Sequence, residues 1–339
     1  MVVVRCWVLV FACVACGRLG FKDPGGDGGT EIDDPADPDQ LVHLHAADGW
    51  SIAPLVELTP YFDYNPADFV DTDTLSNEPS YVAALYSPFT ASLAVIAGRS
   101  LIEIPEVGDP VERTYKPTSP DTSGPDRPAR ATFADLGGGV SGLWLSSSSS
   151  NGGDGLYLVS ADWRITRINA VNNVYALGSD PGGGYGNVGT PLLYVGTEQT
   201  NIERQNQGSL VQAIAEPAAV DDIAMHGDSM FVTLEGTNQL VLDRLVVGQS
   251  PIELARSTSL VLAEGPIEQA MYGIKDAAQL VTISQTSGAF EKAAWSDEPH
   301  WAWRAVSAPH ADNAYAGKLI VLEVNRALNR DRLLVVTPP

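Results

Sequence analysis

Residues 295–310, WSDEPHWAWRAVSAPH, gather three of the seven tryptophans with His300, His310 and Arg304, a dense group of side chains suited to recognition. On a strand, side chains alternate between two faces, so Trp301 and Trp303 would point the same way. Two such rings with Arg304 between them could stack on a sugar, an aromatic ligand or a guanidinium. The other use of such large rings is to fill the space between packed sheets. Trp301, Trp303 and Arg304 are the candidate ligand-binding residues. Tyr61, Phe62, Tyr64 and Phe69, interspersed with Asp63, Asp68, Asp71 and Asp73, form a second aromatic group open to the same two readings.

Other chemistry is less well marked. His43 and His45 are two apart and could share a metal on one strand face, but no third ligand is set by spacing. His226 precedes Gly227-Asp228 and belongs to a turn. Gly184-Tyr185-Gly186-Asn187-Val188-Gly189 spells G-x-G-x-x-G, yet Ser179-Asp180-Pro181 stands before it and Thr190-Pro191 after it. A dinucleotide site needs a strand before and a helix after, so a glycine-rich turn is the better reading. The chain contains neither a G-x-S-x-G elbow nor H-E-x-x-H. No catalytic residue, metal site or cofactor is marked out. Glu57, Asp222, Asn173 and Asp312 are eligible for hydrolytic work by residue type alone.

Charge narrows the partners. With 42 acidic and 20 basic residues the chain carries −22, a surface that repels phosphate backbones, so a nucleic-acid partner is not expected. The same charge repels anionic headgroups.

The three cysteines lie within the first sixteen residues, MVVVRCWVLVFACVAC, followed by Gly17. Arg5 is the one charge, and the apolar run from Cys6 to Ala15 is shorter than the roughly twenty residues that span a bilayer. Val14-Ala15-Cys16-Gly17 resembles the lipobox of bacterial lipoproteins, in which small residues precede a cysteine that is acylated before cleavage. That resemblance implies a signal peptide over 1–15, lipid on Cys16, and membrane attachment through acyl chains. Cys13 and Cys16 also spell C-x-x-C, but within the apolar part of a leader and without a second ligand pair. Gly17 in place of a retaining aspartate points, by the same resemblance, to the outer membrane, facing the periplasm or the cell surface. Residues 16–40, rich in Gly, Pro and Asp, have little to bury and read as an acidic tether.

From residue 41 to 339 short apolar runs alternate with Gly, Asn, Asp and Ser clusters. Strand-turn-strand patterns recur at 92–104, 155–168, 192–204, 230–245, 279–295 and 318–336. Their turns fall roughly 40 to 50 residues apart, with a wider first interval, a period suited to the blades of a β-propeller. The expected fold is all-β, with about six blades (seven would also fit) of four-stranded antiparallel sheets. Asp222-Ile223-Ala224-Met225-His226-Gly227-Asp228-Ser229-Met230-Phe231-Val232-Thr233, then Leu234-Glu235-Gly236-Thr237-Asn238-Gln239-Leu240-Val241-Leu242-Asp243, resembles the blade signature of YVTN and NHL-type propellers. Leu41–His45 or Leu55–Leu58 is placed to pair with Leu333–Val336 and close the ring, removing an open edge. Between the first two hairpins, the six prolines from Pro105 to Pro128 argue against central strands and for an interblade loop.

The expectation is thus a lipid-anchored envelope propeller, more binding or scaffold module than enzyme, for a protein, peptide or glycan. The alternative is a metal-assisted propeller hydrolase or lactonase with carboxylates at the channel mouth.

Overall fold

β-branched and apolar residues alternating with polar ones become 26 strands among the described residues of the computed structural model. It describes residues 41–58, 81–87, 92–97, 100–113, 116–117, 128–137, 140–147, 155–169, 174–180, 185, 191–197, 201–206, 209–263, 270–308, 314–325 and 330–339. The leader, Cys16 and the tether lie outside those residues. So do the aromatic group at 61–69, Asn173, Asp312 and all of the G-x-G-x-x-G segment except Tyr185. His43–Pro339 forms one unit; of the other, Met1–Val42, only Leu41 and Val42 are described.

Two N-terminal strands, β1 (Leu44–Ala46) and β2 (Ser51–Glu57), join sheets built mainly from later residues. Blade I is β3 (Tyr81–Ser87), β4 (Ser92–Ala97), β5 (Ser100–Pro105) and β6 (Val111–Arg113). Two-residue β7 (Lys116–Pro117) lies parallel to the outer strand of blade II, which is β8 (Pro128–Asp135), β9 (Ser141–Ser147), β10 (Gly155–Val159) and β11 (Arg164–Asn169). Blade III is β12 (Val174–Asp180), β13 (Leu192–Thr197), β14 (Asn201–Asn206) and β15 (Ser209–Ala215). Blade IV is β16 (Val220–His226), β17 (Ser229–Glu235), β18 (Leu240–Val246) and β19 (Ile252–Ser257). Blade V is β20 (Leu260–Leu262), β21 (Met271–Lys275), β22 (Gln279–Ile283) and β23 (Phe290–Ser296), with β1 as a fifth strand. Blade VI is β24 (Trp301–Ser307), β25 (Leu319–Asn325) and β26 (Arg330–Thr337), completed by β2.

Each blade is an antiparallel meander whose first strand lies innermost. The innermost strands touch in the cyclic order β24, β3, β8, β12, β16, β20 and back to β24, which closes a six-bladed ring. The expected fold is the observed one. Ring closure is made by β2, whose Ile52 pairs with Val336 and whose Val56 pairs with Leu333. The last blade thereby gains its outer strand from the start of the domain, and the edge of β26 is covered.

A sheet buries its faces only against another layer, and here that layer is the next blade. The apolar core accordingly lies in the wedges: one cluster each between blades II and III, III and IV, IV and V, and V and VI, and a larger one running from VI through I to II. The proline-rich stretch departs from expectation. Pro128 opens β8, an innermost strand, and Val111–Arg113 pairs at the rim of blade I. A proline is compatible with the first position of a strand, where its missing N–H leaves no gap in the ladder. Five of the six innermost strands also carry a register shift, at Val82/Leu85, Pro128/Arg130, Val174/Ala176, Val220/Asp222 and Trp303/Ala305. Such bulges bend a strand and re-aim the side chains that follow.

Candidate functional site

The first and third strands of each blade end on one face of the ring, called here the a–b face, and the second and fourth strands end on the other. On the a–b face an open cleft of about 430 Å³ lies between blades IV and V, lined by His226, Ala270, Thr282, Ile283, Ser284, Gln285, Ala289 and Glu291. Its walls follow from turn chemistry. β16 ends at His226, and Gly227 takes a φ of 60°, a left-handed conformation that costs glycine nothing, so the chain returns at once as β17. Opposite, Ser284 N–H donates to the Ala289 carbonyl at 2.9 Å, and Gly288 N–H donates back to the Ser284 carbonyl at 2.8 Å. Gly288, with a φ of 68°, sits where a Cβ would meet the backbone of Leu254 on blade IV. The turn of blade V is thus pressed against its neighbour.

A hydrogen bond joins the two walls: the Gln285 amide donates to Nε2 of His226 at 2.9 Å, which places the imidazole proton on Nδ1. Thr282 Oγ1 donates to the Glu291 carbonyl at 3.5 Å. Ser284, the Gln285 carbonyl oxygen and exposed Glu291 border a floor that includes buried Ile283 and the small Ala270 and Ala289. Hydrogen-bonding groups, the Glu291 carboxylate among them, over an apolar floor suit a ligand that hydrogen-bonds while resting on carbon.

Inside the ring, Arg130 of blade II reaches past blade III to Asp222 of blade IV, Nε to Oδ1 at 3.2 Å. Asp222, 1% exposed, also accepts from the Leu262 amide of blade V at 2.8 Å and the Ile223 amide at 3.0 Å. Burial pushes its carboxyl up, against the pull of Arg130. One carboxylate therefore ties three blades together. Glu57, also eligible by type, accepts from Arg330 at 3.0 Å in blade VI.

Trp301 and Trp303 share a face as expected, and that face is covered. Trp301 is 6% exposed, stacked on His43 with ring centres 5.3 Å apart, and the Arg332 guanidinium lies 4.2 Å from its ring centre. Trp303, 1% exposed, donates through Nε1 to Glu323 at 2.9 Å, and Arg332 Nε donates to the other Glu323 oxygen at 2.7 Å. The pair does the packing work of the alternative reading. Arg304 is the extra residue of the bulge between Trp303 and Ala305 and is half-buried. His43 and His45 are held by different carboxylates, Glu323 at 3.3 Å and Asp297 at 2.7 Å. Among the described residues no group of three or more His, Cys, Asp or Glu is placed to hold a metal ion. Sequence reasoning placed His226 in its turn but missed the cleft, because Gln285 lies 59 residues away and blade spacing alone pairs them.

No family model matches this chain, and no curated protein does. Among solved structures it is similar to the PQQ-bound aldose sugar dehydrogenase of Streptomyces coelicolor, at 13% identity and a TM-score of 0.52, covering 86% of this chain and 100% of that one. It is likewise similar to the WD40 domain of Neurospora crassa Pan2, at 9% identity and a TM-score of 0.50, covering 86% and 97%. At such identities the likeness is one of fold, and the class it defines is the β-propeller repeat protein.

Proposed function

We propose that this chain is a lipid-anchored envelope propeller of the YVTN/NHL repeat type, tethered through acylated Cys16 at the outer membrane, that binds a protein, peptide or glycan in the cleft between blades IV and V. The observation that carries this reading is the cleft itself, bridged by Gln285 and His226 and lined by hydrogen-bonding groups that include the Glu291 carboxylate. The enzyme alternative draws less support, since Asp222 and Glu57 are engaged by arginines and backbone amides that hold the blades.

The test places a photoreactive amino acid at Glu291 of the full chain and irradiates intact envelopes. The expected result is a discrete adduct that disappears when His226 and Gln285 are both changed to alanine. An adduct pattern indifferent to those two changes refutes the cleft as the binding site. Incorporation of labelled palmitate, lost in Cys16→Ala, tests the anchor separately.

A further inference from the structure

The wedge between blades III and IV holds a pair of acids that neither the cleft nor the axial ion pair uses. Glu216 directly follows β15, and Asp243 lies midway along β18; they are 6% and 7% exposed. Both carboxylate oxygens of Glu216 and Oδ1 of Asp243 have no hydrogen-bond partner. Their orientation follows from register. Asp243 pairs with Val232, which pairs with Ile223, and both belong to the apolar cluster between these blades. Glu216, two residues past Ile214, continues the strand face that packs on the same cluster.

The charge of Asp243 is felt at Glu216. Burial, with Asp243 adding to it, pushes Glu216 up to about 7. Glu216 in turn joins burial in raising the Tyr185 hydroxyl, a ring of the same wedge. Burial and the charge of Glu253 push Asp243 up, and Arg256, which pulls it down, makes two hydrogen bonds to Glu253, at 2.8 and 3.0 Å.

Carboxylates buried without donors are costly, and two in one wedge more so. A shared proton would satisfy one oxygen and cancel one charge. A cation between them satisfies all three oxygens and cancels both charges, and oxygen-only ligation by carboxylates is the chemistry of hard divalent ions. We propose that Glu216 and Asp243 bind a divalent cation of the calcium class, which pins blade III to blade IV.

The experiment uses the full-length protein, stripped with chelator and then titrated with calcium chloride, with thermal unfolding as one readout and terbium luminescence, sensitised by Tyr185, as the other. At saturating calcium the unfolding midpoint should rise by on the order of 4 °C. Terbium emission should appear on titration and be displaced by calcium. Glu216→Gln and Asp243→Asn keep shape while removing charge, so both should fold, unfold at a higher midpoint than the stripped wild type, and lose the calcium response. Glu291→Gln, in the cleft, should keep that response in full. A wild-type midpoint that calcium does not move, or a response that survives in Glu216→Gln, overturns the proposal; neither result bears on ligand binding at the cleft.

Discussion

Replacing Asp331 by asparagine should stabilise the propeller, with an advantage that grows as pH rises. Asp331, on β26, is 1% exposed, and burial, reinforced by the charge of Glu57, pushes its carboxyl from 3.8 up to about 8. In the unfolded chain the group ionises near its ordinary value. Between about pH 4 and 8 the folded state therefore holds a proton that the unfolded state has released, and stability falls with rising pH by up to ~1.4 kcal/mol per unit. Across the window the loss is at most about 6 kcal/mol. Asparagine has no such proton. Its gain over wild type should be near zero at pH 4 and reach about 3 kcal/mol or more at pH 8.5, measured by urea unfolding followed through tryptophan fluorescence. The difference between the two proteins is the observable, because a net charge of −22 by itself lowers stability at high pH. A difference that does not change with pH, or a variant weaker than wild type at pH 8.5, would refute the argument.

Arg130→Met leaves Asp222 buried without its counter-ion and should cost about 3–5 kcal/mol in urea unfolding; adding Asp222→Asn, which keeps an acceptor for the Leu262 and Ile223 amides, should restore much of it. Deleting residues 41–58 uncovers the edge of β26 and should shift the protein to larger species than the full chain forms on light-scattering chromatography. Trp303→Phe removes a buried donor to Glu323 and should cost about 1–3 kcal/mol, whereas a ligand platform would tolerate the change without loss of stability.

The fold was legible because a propeller repeats its instructions. Each of the six hairpins read from the sequence falls in a different blade, four of them as second and third strands and those at 155–168 and 279–295 as third and fourth. That offset is why their spacing is uneven. Asp222–Asp243 unfolds onto β16, β17 and β18 with Gly227-Asp228 and Gly236–Asn238 at the turns, as its pattern requires. Proline misled at Pro128, because the rule against proline in central strands concerns their interiors and the first position escapes it.

The polar sites were illegible for a different reason. Alternation assigns side chains to faces only while the register holds, and a bulge shifts every later residue by one. Arg130 and Asp222 each follow the bulge of their own innermost strand, at Pro128/Arg130 and Val220/Asp222, so the two stand at matching positions on blades II and IV. Periodicity within either strand says nothing of this. The ion pair joins blade II to blade IV and its carboxylate also anchors blade V, while on the a–b face Gln285 meets His226. In such a ring contacts between blades join residues far apart in the chain, 59 positions for His226 and Gln285 and 92 for Arg130 and Asp222.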